Sequence, residues 1–297
     1  VPRPSFAALA ALLLLPAAAG AQGLGLRHLA SVYQDDREGP LKSPEGVACD
    51  EGGAFLVADT GNGRLLRYTW KEGALGGGAP IQIPQISYPT RVQVDGRGNA
   101  LVLDRKARRI VRLDVKGGFA GALEITGLRG PPAVVPAAFK LDGAGRVLVL
   151  DVAERRVVEA EAGGAAVREI PVPRGAIFAD VAPGPGGQIL AVDPVAGSVW
   201  VADPKATSFR ELARGLKDRA AFPSYLAVQG ARIYLADPHG NGIASLGVDG
   251  SPQGRELGYG FADGQLQYPG QICATARGEI LVADRGNSRV QIFAVTR

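Results

Sequence analysis

A short β-type run ending in aspartate recurs six times along this chain: AFLVAD to Asp59, NALVLD to Asp104, RVLVLD to Asp151, QILAVD to Asp193, RIYLAD to Asp237 and EILVAD to Asp284. The intervals are 45, 47, 42, 44 and 47 residues. A proline stands fifteen residues before the aspartate in four copies (Pro44, Pro89, Pro136, Pro269) and fourteen before it in a fifth (Pro223), with Phe178 in its place in the fourth unit. A repeat of this length is one supersecondary unit that cannot bury its apolar faces alone and must stack on its neighbours.

Each unit divides into four short strands. The first follows the proline (GVAC, RVQV, AFKL, DVA, YLAV, QICA) and leads through a Gly-bearing turn, such as Asp95 to Gly98 or Asp142 to Gly145, into the aspartate-ended second strand. A polar turn leads to the third. The fourth is read at PIQIP, ALEIT, VREIPV, FRELA and RELGY, which leaves Gly73 to Pro80 (GALGGGAP) as a flexible loop. No helix start follows that loop, so it is not a phosphate cradle. The expected fold is all-β: a six-bladed β-propeller of four-stranded antiparallel blades, at about 44–84, 89–127, 136–172, 178–214, 223–259 and 269–297. Composition agrees, since 42 Gly and 21 Pro supply tight turns while 46% apolar residues supply a large core. The sixth unit ends at Arg297 after three strands, so the alternating segment Leu26 to Tyr33 is expected to pair with Val290 to Val295 and close the ring, removing an exposed edge.

The first unit, SPEGVACDEGGAFLVADTGNGRLLRY, and the last, YPGQICATARGEILVADRGNSRVQIF, resemble the NHL repeat, whose pattern runs Pro-x-Gly-Val-Ala-Val-Asp, then Val-Ala-Asp, then Thr-Gly-Asn-x-Arg-Val. Units two and three follow it less closely. In units four and five, DPVAGSV and DPHGNGI lack the arginine. The resemblance implies the propeller fold. It implies no single activity, because the family includes lyases, RNA-binding modules, protein-interaction modules and exported proteins.

Residues 1–21 read as a secretory leader, with Arg3, the apolar stretch Phe6 to Leu15, and Ala19-Gly20-Ala21 before the expected cleavage after Ala21. The apolar stretch is shorter than the roughly 20 residues a spanning helix needs, and Pro16 breaks it, so no membrane span is expected in the mature chain, 22–297. With Val1 read as a bacterial alternative start, the expected location is periplasmic or extracellular. The formal net charge is only +4 and one basic residue leaves with the leader. Together with export, this disfavours a nucleic-acid partner.

The six terminal aspartates are expected to accept backbone hydrogen bonds in their own turns. Four are followed five residues later by arginine, giving the expected intrablade pairs Asp59–Arg64, Asp104–Arg109, Asp151–Arg156 and Asp284–Arg289. As partly exposed pairs each is expected to contribute no more than about 1 kcal/mol. Cys49 and Cys273 lie in the first strands of the first and last units, at offsets five and four from their prolines. They face each other across the ring seam as a disulfide, or they are two buried thiols.

No catalytic constellation emerges. The two histidines, His28 in the closing strand and His239 in the turn after Asp237, supply neither a three-His zinc site nor a triad base, and no Gly-x-Ser-x-Gly elbow occurs. The first strands bring Glu45, Arg91, Ala138, Asp180, Tyr225 and Gln271 to the channel mouth. Glu45, Asp180 and Gln271 are the candidate ligands of a calcium site of the gluconolactonase type, with Arg91 opposing it. On the same face lie Arg105, Lys106, Arg108 and Arg109, with Tyr88, Tyr225 and Tyr268 around the entrance. Arg with Tyr on rigid loops suits recognition of carboxylate, phosphate or an acidic protein. The expectation is an exported, non-catalytic binding or scaffolding module engaging a protein, peptide or polysaccharide through Arg91, Arg105, Lys106, Arg108, Tyr88, Tyr225 and Tyr268, without a cofactor. The alternative is a metal-dependent lactonase, esterase or lyase with calcium at the channel mouth.

Overall fold

The structure, a computed structural model, describes residues 25–296. The expected leader and its cleavage point lie outside the described residues. Six four-stranded antiparallel sheets, each in sequential strand order except the last, form the blades. Blade one comprises Gly46–Cys49, Ala54–Asp59, Arg64–Lys71 and Ala74–Ile81. Blade two comprises Pro89–Val94, Ala100–Asp104, Arg109–Leu113 and Phe119–Ala122. Blade three comprises Pro136–Leu141, Val147–Asp151, Arg156–Ala160 and Ala166–Pro171. Blade four comprises Asp180–Pro183, Ile189–Asp193, Ser198–Ala202 and Arg210–Ala213. Blade five comprises Tyr225–Gln229, Arg232–Asp237, Gly242–Gly247 and Pro252–Glu256. Blade six comprises Pro269–Ala274, Glu279–Asp284 and Arg289–Thr296, completed by Gly25–Val32 as its outermost strand. Helix among the described residues is confined to four single 3-10 turns.

The closing strand pairs as the alternation predicts, Leu26 opposite Val295 and Val32 opposite Val290, around a bulge between His28 and Ala30. At the seam between blades one and six, Cys49 and Cys273 are joined as a disulfide with their Cα atoms 5.9 Å apart. The Trp70 indole donates to Glu279 across the same seam at 3.0 Å.

Packing explains the uninterrupted apolar second strands. Each gap between adjacent blades holds one apolar cluster, six in all. Along the second strand of blade one, Val57 faces Leu281 and Val290 of blade six, while Leu56 faces Val92 and Val102 of blade two. A strand buried on both faces has no solvent side, so the usual apolar–polar alternation disappears.

Two expectations about outer strands are corrected. Gly73 to Pro80 is not a flexible loop: Ala74–Ile81 is the outer strand of blade one, paired along Leu65 to Lys71 with a bulge at Arg67. Its glycines let another segment come close. A Cβ on Gly78, whose φ is +108°, would meet the Asp36 backbone nitrogen at 2.9 Å and the Tyr68 ring at 3.0 Å. In blade two the outer strand is Phe119–Ala122, ahead of the ALEIT segment, and in blade five it begins at Pro252, ahead of RELGY.

Every strand-end aspartate is a clamp. Its carboxylate accepts an N–H from the link that enters its own blade: Asp59 from Lys42, Asp104 from Ser87, Asp151 from Val135, Asp193 from Ile177, Asp237 from Ala221, and Asp284 from Gln267, all at 2.6–3.0 Å. The arginine pairs form at Asp59–Arg64 (2.7 Å), Asp151–Arg156 (3.0 Å) and Asp284–Arg289 (2.7 Å). The pairs in blades three and six are buried rather than partly exposed, with Arg289 at 1% exposure, while Arg64 is half-buried against a buried Asp59. The Asp104–Arg109 pair is absent. Arg109 points outward to the Gln85 carbonyl, and Asp104 takes N–H groups from Ser87, Lys106 and Ala107 instead. Burial alone would raise its pKa, but the N–H groups together hold it below the usual carboxylate range.

Blade five finds a different cation. Gly242 occupies the arginine position, and Arg255 reaches in from the outer strand to Asp237 at 3.1 Å. A Cβ on Gly242 would lie 2.8 Å from that guanidinium, so the glycine opens the path.

Removing one partner of a buried pair strands the other charge, so Arg289→Ala is expected to lower unfolding stability in urea by about 3–5 kcal/mol. Arg109→Ala, on an unpaired outward arginine, is expected to change it by less than about 0.5 kcal/mol. Replacing Cys49 and Cys273 together by Ser is expected to lower stability by about 2–5 kcal/mol in the same assay under oxidising conditions.

Candidate functional site

The prolines that open the inner strands set the geometry of the channel. Proline has no N–H for the ladder and is tolerated at a strand start or a bulge. The pairing slips just after it in three blades, between Pro89 and Arg91, Pro136 and Ala138, and Pro269 and Ile272. The links into the inner strands share a face with the turns after each aspartate, as shown by Pro89 opposite Asp104 and Pro269 opposite Asp284.

Two locks cross the channel at this level. Arg91 of blade two reaches past blade three to Asp180 of blade four, Nη1 to Oδ2 at 3.0 Å, and its Nη2 donates to the Ala179 carbonyl at 3.3 Å. Its guanidinium lies over the Tyr225 ring, 4.2 Å from the centroid. Asp180 in turn accepts the Leu226 N–H of blade five at 2.9 Å. Blade three offers only the buried methyl of Ala138 here. The second lock is Gln271 of blade six, whose amide accepts the Val92 N–H at 3.1 Å and donates to the Val92 carbonyl at 2.7 Å.

The three expected calcium ligands are therefore engaged elsewhere. Asp180 faces a guanidinium, Gln271 is spent on the Val92 backbone, and Glu45 lies 3.6 Å from Arg285. A cation bound at Asp180 would sit beside the resident positive charge of Arg91. Among the described residues no cluster of three or more His, Cys, Asp or Glu is placed to hold a metal. The donor set does not fit calcium.

Above the locks, on the loop face, a cavity of about 440 Å³ is lined by Glu45, Arg91, Arg105, Arg108 and Tyr225 with apolar walls that include Val152. The structure thus unites Arg91, Arg105, Arg108 and Tyr225. Lys106, Tyr88 and Tyr268 stand outside this cavity on the same face, exposed. The turn carrying Arg105 to Arg108 is held by Asp104, which accepts from Lys106 at 3.0 Å and Ala107 at 3.1 Å. Tyr268 is fixed through its N–H, which donates to Asn241 at 2.9 Å. His28 and His239 are remote from the mouth: His28 is in the closing strand beside Ser31, and His239 stacks on Phe222.

One group was not singled out from the sequence. Lys140, in the inner strand of blade three, is 6% exposed and lines a small pocket with Gln93 and the Cys49–Cys273 disulfide. Burial pushes its amine below the ordinary lysine range, Asp180 pulls the other way, and Arg91 adds to the fall. Its only signal in the sequence is a lone lysine inside AFKL.

The NHL repeat family matches residues 266–293, the last blade of this six-bladed propeller. No curated protein matches the sequence. Among solved structures, the fold is similar to a gluconolactonase from Xanthomonas campestris (TM-score 0.69, 13% identity, covering 95% of this chain and 94% of that one). It is also similar to virginiamycin B lyase from Staphylococcus aureus (0.62, 13%, 92% and 100%). A chain of a nidogen/laminin complex is similar over 73% of this chain and 85% of that one, at 0.56 and 16% identity. All three are propeller relatives in fold. No helix among the described residues is long and apolar enough to cross a membrane.

Lys140 titrates in a defined direction. Unfolded, it binds a proton up to about its ordinary value of 10.5; folded, it lets go earlier. Between the folded value and 10.5 the unfolded chain holds more protons, so stability rises with pH across that window. Lys140→Met is therefore expected to be more stable than wild type at pH 7, with the margin shrinking as pH approaches 10.5. Urea denaturation at pH 7, 8.5 and 10 checks both the sign and the trend.

Proposed function

We propose that this protein is an exported, non-catalytic binding or scaffolding module whose loop face engages a protein, peptide or polysaccharide. The observation that carries this reading is how the polar groups are used. Inside the channel Arg91 pairs with Asp180 and Gln271 is engaged by the Val92 backbone. On the loop face Arg105, Lys106 and Arg108 stand exposed on a turn that Asp104 holds rigid, next to the exposed Tyr88, with the exposed Tyr268 on the link into blade six. Preformed loops bearing Arg and aromatic side chains bind at a small entropic cost, because little has to be ordered on association.

A metal-dependent lactonase or lyase is the second reading. Its support is the cavity over the channel and the fold likeness to a gluconolactonase and a lyase, which at such low identity extends to fold alone. It requires the Arg91–Asp180 lock to open, and lactone hydrolysis that appears on adding calcium would favour it.

Reversing two charges tests the first reading. Arg105→Glu with Arg108→Glu is expected to leave the thermal melt unchanged, because both side chains are exposed, and to abolish at least tenfold of the capture of envelope components by the immobilised protein. Equal capture by variant and wild type would remove this face from the proposal.

A further inference from the structure

The turn after each strand-end aspartate repeats one backbone shape around the ring. Its fourth residue is left-handed in all six blades, with φ between +49° and +66°. Gly63, Gly197, Asn241 and Ser288 fill that position in four blades, whereas blades two and three carry Arg108 and Arg155. A long side chain there bears a steric cost that glycine does not. Arg155 has a structural use: its Nη2 donates to the Ala176 carbonyl at 2.9 Å and to the Pro173 carbonyl at 3.3 Å. Arg108 is exposed, with no side-chain hydrogen bond or ion pair among the described residues, and so is Arg105 on the same turn. Strain that the fold itself does not use points to a ligand.

Both arginines line the loop-face cavity of about 440 Å³, which is open to solvent and mainly polar. Three features of its lining restrict what it takes. Two unpaired guanidinium groups on one turn, with Arg91 in the same lining, suit a planar anion such as a carboxylate. Blade three supplies an apolar wall of Val135, Pro136, Ala137 and Val152, of which Val152 is 47% exposed. Glu45 lines the cavity too; its carboxylate accepts no hydrogen bond among the described residues, and its ion-pair partner Arg285 stands off at 3.6 Å. A dense polyanion would satisfy the arginines, but Glu45 would repel it and the apolar wall would stay in water. A peptide with a carboxylate next to an aliphatic side chain uses all three features: the acid meets the arginines, the aliphatic group covers Val152, and a backbone N–H is free for Glu45. At roughly 30 Å³ per water the cavity has room for about fifteen water-sized groups, which matches two such side chains and the backbone between them.

We propose that this cavity anchors an acidic peptide segment of a partner protein, a Glu or Asp beside an aliphatic residue. The pocket depends on the loop face being the binding surface, and it narrows the partner of that surface to one chemistry.

Fluorescence anisotropy on the whole protein at low salt tests it. The probe is a labelled, end-blocked peptide of Leu-Glu pairs separated by glycine. It is compared with the same peptide carrying Gln for Glu, with one carrying Gly for Leu, and with a galacturonate oligomer as competitor. Gln for Glu is expected to weaken binding about tenfold, and Gly for Leu about threefold. The oligomer is expected to compete no better than the Gln peptide. Arg105→Gln with Arg108→Gln is expected to remove the preference for Glu, and Val152→Ser the preference for Leu. Arg108→Gly, which installs the residue of blades one and four, is expected to weaken the Glu peptide and to melt at or above the wild-type temperature. A lower melting temperature for Arg108→Gly would assign that arginine to the turn and overturn the proposal. So would equal binding of the Glu and Gln peptides, no detectable binding, or a galacturonate oligomer that binds as tightly as the Leu-Glu peptide. Loss of envelope capture in the Arg105→Glu, Arg108→Glu protein without any preference for Glu over Gln would reject the pocket and leave the loop face standing, whereas unchanged capture rejects both.

Discussion

Six buried carboxylates hold this ring in register. Each strand-end aspartate ties the end of the second strand to the link entering its own blade, so the inner edge of every sheet is fixed to its neighbouring strand at the loop face. A carboxylate at 0–1% exposure is tolerable only when its oxygens are filled, and the link N–H groups fill them. Remaining capacity is taken up by arginine in blades one, three and six, by turn N–H groups in blades two and four, and by Arg255 from the outer strand in blade five. The constraint is the satisfied carboxylate; the cation that helps to satisfy it is interchangeable.

With each blade clamped, the blades associate through their apolar faces. A ring made this way has one weak place, the gap where the chain's two ends meet. Three kinds of interaction converge there: the strand ladder of Gly25–Val32 on Arg289–Thr296, the disulfide between blades one and six, and the Trp70–Glu279 hydrogen bond. Arg289, the most buried of the clamping arginines, also lies in this last blade. It donates to the Ala262 and Gln265 carbonyls and so ties down the link from blade five.

The channel divides the molecule functionally. At its mouth, long polar side chains cross between blades, Arg91 to Asp180 and Gln271 to the Val92 backbone, and tie the inner strands together. Outside, the turns keep cationic and aromatic side chains available to solvent. At the opposite end the same inner strands line a small open pocket that holds Gln93 and Lys140. The two ends therefore differ: several exposed charges on rigid loops at one, a single mostly buried lysine at the other.

Much of the fold was legible because it is repeated. The period of the aspartate runs determined six blades, the Pro-to-Asp spacing determined which face carries the loops, and the alternation of Leu26 to Tyr33 determined how the ring closes. These are properties of local sequence multiplied by six, so chance errors in one unit do not hide the pattern. Single, unrepeated features were read less well. GALGGGAP looks like a loop by composition, yet it is a strand because Gly78 lets the Asp35–Asp36 segment pack against it. Asp104 and Arg109 have the pairing interval of the other clamps but do not meet: Arg109 turns outward to the Gln85 carbonyl, and turn N–H groups fill the carboxylate. At the channel, sequence placed Glu45, Arg91, Asp180 and Gln271 at one level. Whether they gathered around a cation or locked onto one another depended on reach across blades, and only the tertiary structure decided it: Ala138 leaves the room through which Arg91 passes to Asp180. The same holds for Lys140, one polar letter in an apolar strand, whose burial comes from neighbours contributed by five other blades.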